Sequence, residues 1–254
     1  METTVDDRVQ VTRFDRPDAR NAMTPATARD LCDEIDAATE RDVRALVITG
    51  SGGSFCAGGD LEAMRERDET PDEASRRVQE TLNATVRAIL SAPFPVIAKV
   101  NGDAIGAGTN IAAACDFAYA DADARFGEVF VNVGLIPDTG GTVLLPRLIG
   151  LRRAKELTMT GRLFDADEAA SMGLINDTVS EDSLDERVDE LLETLSRKPT
   201  TTLGLIKEGL HGNLGRPVDD ALDREAALQV RAYGTDAHEE GVAAFLDDRR
   251  PDFD

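Results

Sequence analysis

The sequence predicts an α/β fold with a wholly helical C-terminal part, and three observations carry that prediction. Short β-branched apolar runs ending in glycine, "RALVITG" and "PVIAKVNG", alternate with longer amphipathic stretches, as buried strands alternate with helices in a layered body. From about Ser183 the strand pattern stops. "SLDERVDELLETLSRK", "TTLGLIKEGLHG", "PVDDALDREAALQVRAYG" and "TDAHEEGVAAFLDDR" then follow as helical patterns in succession. Finally, 254 residues suffice for one large core with a smaller appendage. The expected division is an α/β body over 1–195 and a helical region over 196–254. Helices of this length bury little among themselves, so they are expected to pack on the body or on a neighbouring subunit.

Each element has its own local cause. "VQVTRFD" alternates apolar with polar residues and predicts an edge-like strand. Thr24 before Pro25 supplies an N-cap and a first helical residue for a helix to about Glu40. Thr70, Pro71 and Glu73 form a capping box that opens one helix through "EASRRVQETLNATVRAIL". "DFAYA" and "GLINDTV" predict further short strands.

Composition narrows the function classes. The formal net charge is -21, and Lys99, Lys155, Lys198 and Lys207 are the only lysines. The acids are spread along the chain rather than gathered in a tail, which favours a solvated coat suited to a salt-rich cytoplasm over one acidic docking surface. The same charge argues against nucleic acid as a partner, because no net basic surface is there to displace counterions. No apolar run reaches about 18 residues, so no membrane span is expected. "METTVDDRVQV" has none of the basic and apolar regions of a signal peptide, which makes the cytoplasm the expected compartment. Cys32, Cys56 and Cys115 are widely spaced and read as buried thiols. His211 and His238 read as surface residues, and no ligand spacing suggests a metal.

Two glycine-rich segments each follow a buried strand: "VITGSGGSFCAGGDL" (47–61) and "VNGDAIGAGTNIAAACD" (100–116). Glycine lets a ligand approach the main chain closely, and the second segment opens a helix whose first N–H groups suit an anion or a developing oxyanion. Taken singly, each is equally well read as a tight strand-to-helix turn. Neither has the phosphate-binding lysine of a P-loop or the full spacing of a dinucleotide fingerprint.

Together with "RPDARNAMTP", "GLIPDTGGTVLLPRLIG", "AKELTMTGRLFDADEAASMGLIN" and "EGVAAFLDDRRPDF", in this order, the loops resemble the crotonase superfamily, the enoyl-CoA hydratase/isomerase family, over nearly the whole chain. The resemblance implies a β-β-α spiral body and C-terminal helices that assemble trimers, often as a dimer of trimers. It also implies an acyl-CoA thioester substrate, so that coenzyme A arrives with the substrate and no cofactor is bound permanently. By motif position, the main-chain N–H groups of Gly59 and Ala107 would hold the thioester enolate; Ala107 stands where glycine is more usual. One such donor is typically worth about 3 kcal/mol in the transition state. The resemblance further places Arg16 and Arg20 near the CoA phosphates, and main chain around Ala22, Ala57, Asp60 and Leu61 around the adenine and pantetheine. Surface solvation accounts equally well for both arginines, and a helix cap for Asp60.

The family pattern also breaks. Hydratases of the family use two glutamates, and at those positions this chain has Asn110 and Phe130. Asn110 can orient a substrate or a water but is no base, and Phe130 adds only apolar surface. Glu128 lies two residues before Phe130 in a strand-like segment and reads as a solvated carboxylate. The remaining acid is Asp138 of "PDTGG", where the resemblance to phenylacetate-pathway epoxide isomerases and related double-bond isomerases places the reactive carboxylate. Burial beside Phe130 and Ile136 would raise its pKa. In isolation Asp138 reads first as an N-cap for "TVLLPRLIG", which Pro146 must kink or end. With no rival acid, proton transfer becomes its expected role, capping a compatible second one. A lone carboxylate suits isomerisation, in which one group removes and returns a proton without water. The alternatives are a hydratase with an altered water site and a non-catalytic acyl-CoA-binding homologue.

Overall fold

The computed structural model describes residues 1–253. The chain opens with β1 (Glu2–Asp6) and β2 (Val9–Phe14), an antiparallel pair, followed by α1 (Pro25–Glu40). It then winds through repeated strand–strand–helix turns. The first contains β3 (Ala45–Gly50), β4 (Ser54–Cys56), α2 (Leu61–Arg65), α3 (Pro71–Glu80) and α4 (Leu82–Ser91). The second contains β5 (Val96–Val100), β6 (Asp103–Ile105) and α5 (Ala107–Ala114). The third contains β7 (Phe117–Asp121), β8 (Arg125–Gly127), a 3-10 turn over Val129–Val133, α6 (Gly141–Leu148) and α7 (Gly150–Thr160). A last partial turn has β9 (Leu163–Asp165), α8 (Ala166–Ser171) and β10 (Asp177–Val179). The C-terminal helices are α9 (Glu181–Ser196), α10 (Thr200–Asn213), α11 (Val218–Tyr233) and α12 (Asp236–Leu246).

Each turn gives one strand to each of two sheets. The larger sheet has the order β1-β2-β3-β5-β7-β10, the smaller β4-β6-β8-β9. Between successive turns the pairing is parallel, β3 on β5 on β7 and β4 on β6 on β8, so this is a spiral rather than a meander. The larger sheet is covered on both faces. Leu46 and Ile48 of β3 enter the main core with Leu31 and Ile35 of α1, while Ala45 and Val47 face Leu184, Val188 and Leu195 of α9. Burial on both faces is why β3 reads as a continuous apolar run.

Four sequence expectations are corrected. The alternating segment is not an edge: β2 lies between β1 and β3, and β1 forms the edge. Gln10 and Thr12 are buried, Gln10 donating to Thr12 Oγ1 and to the Glu34 carbonyl of α1. The expected single helix after Thr70 has the predicted capping box, but it breaks at the buried Thr81 (φ -121, ψ -92) into α3 and α4. Only the end of "GLINDTV" is a strand. His211 is half-buried, its Nε2 3.8 Å from Asp116 Oδ1. The helix from Pro25 is capped by Thr24 as expected, and Pro146 falls in the last turn of α6, where it ends that helix.

Candidate active site

Two backbone crossings build the site. β4 and β6 are parallel neighbours, so the glycine loops leaving their C-terminal ends lie side by side. A Cβ on Gly58, whose φ is +87°, would stand 2.7 Å from the Ile105 carbonyl oxygen. A Cβ on Gly108 would stand 2.1 Å from the Cys56 carbonyl oxygen. Neither place has room for a side chain, so the glycines of each loop are dictated by the other loop. All eight residues of α5 are buried, which explains the Ala- and Gly-rich composition of that helix.

Two N–H groups point out of this crossing. Met23 donates to the Gly58 carbonyl and accepts from the Asp60 N–H, which leaves the Gly59 N–H between them turned away from that bridge. Ala107 is the first residue of α5, where an N–H has no partner inside the helix. Met64 of α2 covers Gly59, its methyl lying 2.2 Å from where a Cβ would be.

The third strand of the small sheet delivers the carboxylates. Gly127 at the end of β8 accepts from the Gly106 N–H at 2.7 Å and is bonded both ways to the buried Thr109 hydroxyl. The chain then leaves strand geometry at Glu128 and turns as a 3-10 helix, so the expected strand-like segment is absent. Phe130 folds back over the start of α5, with ring atoms 3.5 and 3.6 Å from the Cβ position of Gly106. Glu128 is not solvated. It is fully buried, and burial pushes its pKa up to about 8, with the hydrogen-bonding pull of the Asn110 side chain opposing that shift and the Asp138 charge adding to it.

Asn110 and Asp138 are brought together. The buried Asn110 donates from Nδ2 to the main-chain carbonyl of Asp138 at 2.9 Å. Gly141 donates to the same carbonyl at 3.0 Å, and a Cβ on Gly141 would lie 2.6 Å from Asn110 Nδ2. The second glycine of "PDTGG" is therefore the space that Asn110 fills. Asp138 is not a cap: Gly140 occupies the N-cap of α6, with no side-chain bond to the helix. The Asp138 carboxylate instead accepts from the Thr139 hydroxyl at 2.9 Å. Burial holds its pKa above the ordinary range, against the pull of Thr139 and of the Arg77 and Arg67 charges. Ile136, expected to help bury it, is 74% exposed.

The residues expected around a CoA moiety form the rim. Arg16 is held internally, donating to the Ala22 carbonyl at 2.6 Å and to Asp60 Oδ2 at 2.9 Å. Asp60 caps α2 through the Ala63 N–H, and that bond, with Arg16, holds its pKa below the usual value. Arg20 is exposed in the left-handed region (φ 48°), and its carbonyl accepts from Ala57 N–H. Leu61 is exposed at the start of α2. Sequence reasoning did not single out Met64, Arg67 or Arg77, which reach the site from α2, α3 and the loop between them; nothing in their local pattern distinguishes them from helix-surface residues. The buried state of Glu128 did carry a signal, as the lone acid in the otherwise apolar "FGEVFVNVG".

Comparison with known proteins agrees with this architecture. The profile of the enoyl-CoA hydratase/isomerase family matches residues 4–254. The chain is 36% identical over 252 residues to 1,2-epoxyphenylacetyl-CoA isomerase of Escherichia coli, covering 98% of this chain and 96% of that one. It is also 36% identical over 249 residues to a Rhodobacter capsulatus protein named "Probable enoyl-CoA hydratase", covering 98% and 95%. The crystal structure of an enoyl-CoA hydratase from Mycobacterium smegmatis superposes with a TM-score of 0.93 at 32% identity, covering 99% of this chain and 98% of that one. With its spiral of paired strands and its interlocked glycine loops, the chain belongs to the enoyl-CoA hydratase/isomerase family.

Proposed function

We propose that the chain is an acyl-CoA isomerase that shifts a double bond, or rearranges an acyl group, through a thioester enolate. The observation that carries this is the Asp138 carboxylate: released from helix capping, partly buried and raised in pKa, it sits on the carbonyl that Asn110 holds. A carboxylate so tuned removes a proton beside the thioester and returns it at another carbon. Gly59 and Ala107 N–H groups take the charge that develops on the thioester oxygen, and Phe130 keeps that oxygen's surroundings apolar. Coenzyme A enters as part of the substrate, its phosphates toward Arg20 and Arg16 and its pantetheine along Ala22, Ala57, Asp60 and Leu61.

The working assembly in this reading is a homotrimer or a dimer of trimers. Leu210, Leu222, Val230, Phe245 and Leu246 on α10–α12 are more than half exposed in the single chain, more apolar surface than these helices would leave in water.

The test is deuterium exchange from solvent into a 3-enoyl-CoA. The expected outcome is exchange in the wild type and a loss of at least 100-fold, roughly the span of general acid–base catalysis, in Asp138→Asn. Undiminished exchange in the variant removes Asp138 from the mechanism. Hydration is the second reading, favoured by Glu128, which gives the site a second carboxylate within the field of Asp138. Loss of the conjugated enoyl absorbance of crotonyl-CoA would report it.

A further inference from the structure

Asn110 Nδ2 and Gly141 N–H hold the main-chain carbonyl of Asp138, but those bonds leave the two side-chain torsions of the aspartate free. One bond restrains them. The Thr139 hydroxyl donates to Asp138 Oδ1 at 2.9 Å, and among the described residues no other side chain hydrogen-bonds this carboxylate. Thr139 is completely inaccessible to solvent, so its hydroxyl has no bulk water as an alternative partner.

The backbone at Thr139 adds an independent observation. Gly141 N–H donates to the Asp138 carbonyl, and both residues between them have positive φ, 53° at Thr139 and 83° at Gly140. Tight turns with positive φ at both central positions favour asparagine, aspartate or glycine at the first. A β-branched residue there is strained, because its Cβ crowds the following carbonyl oxygen. Turn chemistry therefore does not account for threonine at this position. Glycine would relax the turn and valine would fill the same space, yet neither supplies a hydroxyl. Strain of this kind persists where the surroundings hold it, and it gathers at reactive sites.

Taking the isomerase reading of the site as given, we propose that Thr139 is a positioning residue: its hydroxyl fixes the rotation of the Asp138 carboxylate, engaging Oδ1 and leaving Oδ2 to move the proton. The substrate C–H bond breaks toward Oδ2, an O–H bond forms there, and the electron pair stays in the thioester enolate. Oδ2 then returns that proton to another carbon, and Thr139 keeps its own throughout. A hydroxyl donor also favours the charged carboxylate. Burial raises the Asp138 pKa, and the hydroxyl opposes that rise together with the Arg77 and Arg67 charges. Glu128 is the neighbouring acid, its own pKa raised by burial and by the Asp138 charge.

Two measurements test the proposal. The infrared titration of the Asp138 carboxyl, read as the difference between each protein and its Asp138→Asn counterpart, reports the hydrogen bond whether or not the protein isomerises anything. Its midpoint is expected to move to higher pH in Thr139→Val; an unmoved midpoint overturns the proposal. In the exchange assay, Thr139→Val is expected to lower kcat about tenfold or more with KM nearly unchanged. The acid limb of its rate profile should also move to higher pH. Thr139→Ser, which keeps the hydroxyl, is expected to recover most of the rate. Thr139→Ala guards against a folding defect in Thr139→Val, since Thr139→Ala and Thr139→Ser both lose the β-branch and differ only in the hydroxyl. Equal rates in those two variants, or a wild-type rate in Thr139→Val, overturn the positioning role. No exchange in the wild type, with the infrared midpoint still shifted in Thr139→Val, fails the isomerase reading alone.

Discussion

Asn110 Nδ2 and Gly141 N–H converge on one oxygen, the main-chain carbonyl of Asp138, at 2.9 and 3.0 Å. Asn110 comes from the helix that begins at Ala107, and Gly141 begins the helix after Asp138. The main chain at Asp138 is thus held by two donors, one from the wholly buried α5 and one from the first residue of α6. Asn110 is thereby a brace for the main chain that carries the Asp138 carboxylate.

Removing the brace should separate folding from turnover. Asn110→Ala deletes one of the two donors to the carbonyl and opens a small cavity beside Gly141. A buried hydrogen bond and the lost packing together are worth roughly 1–3 kcal/mol of stability. Urea unfolding is expected to show that loss. Solvent exchange into a 3-enoyl-CoA should fall about tenfold or more, because an error near 1 Å at a reacting group costs more than stability alone implies. A variant that exchanges at the wild-type rate would show that the brace has no catalytic consequence.

The glycine crossings make a sharper stability prediction. Gly108→Ala puts a methyl 2.1 Å from the Cys56 carbonyl oxygen, a backbone atom that can move only with β4. The cost is expected to be about 3 kcal/mol, at the upper end for overpacking. Gly53→Ala is the control for losing a glycine: a Cβ there meets nothing within 4 Å, and only the strain of φ +72° remains, about 1 kcal/mol. Equal losses in the two variants would contradict the account of the crossing.

How far the sequence discloses this site depends on the range of the interaction. The Thr24 and Thr70 caps are local, set by side chains that accept from N–H groups three residues on, and they are legible. The roles of Asp138 and Glu128 depend on partners such as Asn110, 28 and 18 positions away, and their own residue types point the wrong way. Asp138 reads as an N-cap because Asp before Thr and Gly is a good one, yet Thr139 in the left-handed region (φ 53°) moves the helix start to Gly140. Glu128 reads as solvated because glutamate usually is; the return of the chain as a 3-10 turn buries it. β2 shows the same limit. Its alternation gives the strand, but Gln10 and Thr12 face α1 rather than water, which only the partner helix reveals.

Acidity of Glu128 makes stability depend on pH with a definite sign. Its folded pKa of about 8 lies above the unfolded value of 4.5, so the folded state holds the proton more tightly. Its contribution is fully present below pH 4.5 and is lost as pH rises through 8. The slope across that window is roughly 1 kcal/mol per pH unit, diluted by other groups. Guanidinium unfolding of wild type and Glu128→Gln between about pH 5 and 9 isolates the term, since only the wild type should weaken on this account. Parallel profiles would mean that Glu128 keeps an ordinary acidity.

Net charge predicts a dependence on salt. Ion pairs such as Arg162 with Glu156 and Glu168, or Arg249 with Glu240, use up a few acids, but the formal charge is still -21. Self-repulsion of a coat this size is relieved as the Debye length shrinks from about 30 Å at 0.01 M to about 3 Å at 1 M salt. The melting temperature is expected to rise by several degrees as potassium chloride is raised over that range. A melting temperature indifferent to the salt would rule out repulsion as a significant term.

One buried ion pair joins α10 to the body, and breaking it should loosen that helix. Lys207 of α10 is 6% exposed, and its Nζ donates to Asp116 Oδ2 at 2.6 Å and to the Phe94 carbonyl at 3.3 Å. The same Asp116 oxygen accepts from the Val96 N–H of β5 at 2.8 Å, so one carboxylate joins α10 to the central sheet. Lys207→Met fills the volume but strands Asp116 without its cation, which costs about 3–5 kcal/mol for a buried pair broken on one side. The double variant Lys207→Met, Asp116→Asn removes the stranded charge and should regain part of that loss, because the pair's own net worth is small. Unfolding free energies of the two single variants and the double variant give the coupling directly. Limited proteolysis then locates the damage: cleavage at the residues between α9 and α10 should quicken in Lys207→Met, while the body stays resistant. If the single variants sum to the double, Lys207 and Asp116 act independently and α10 is held by its apolar face alone.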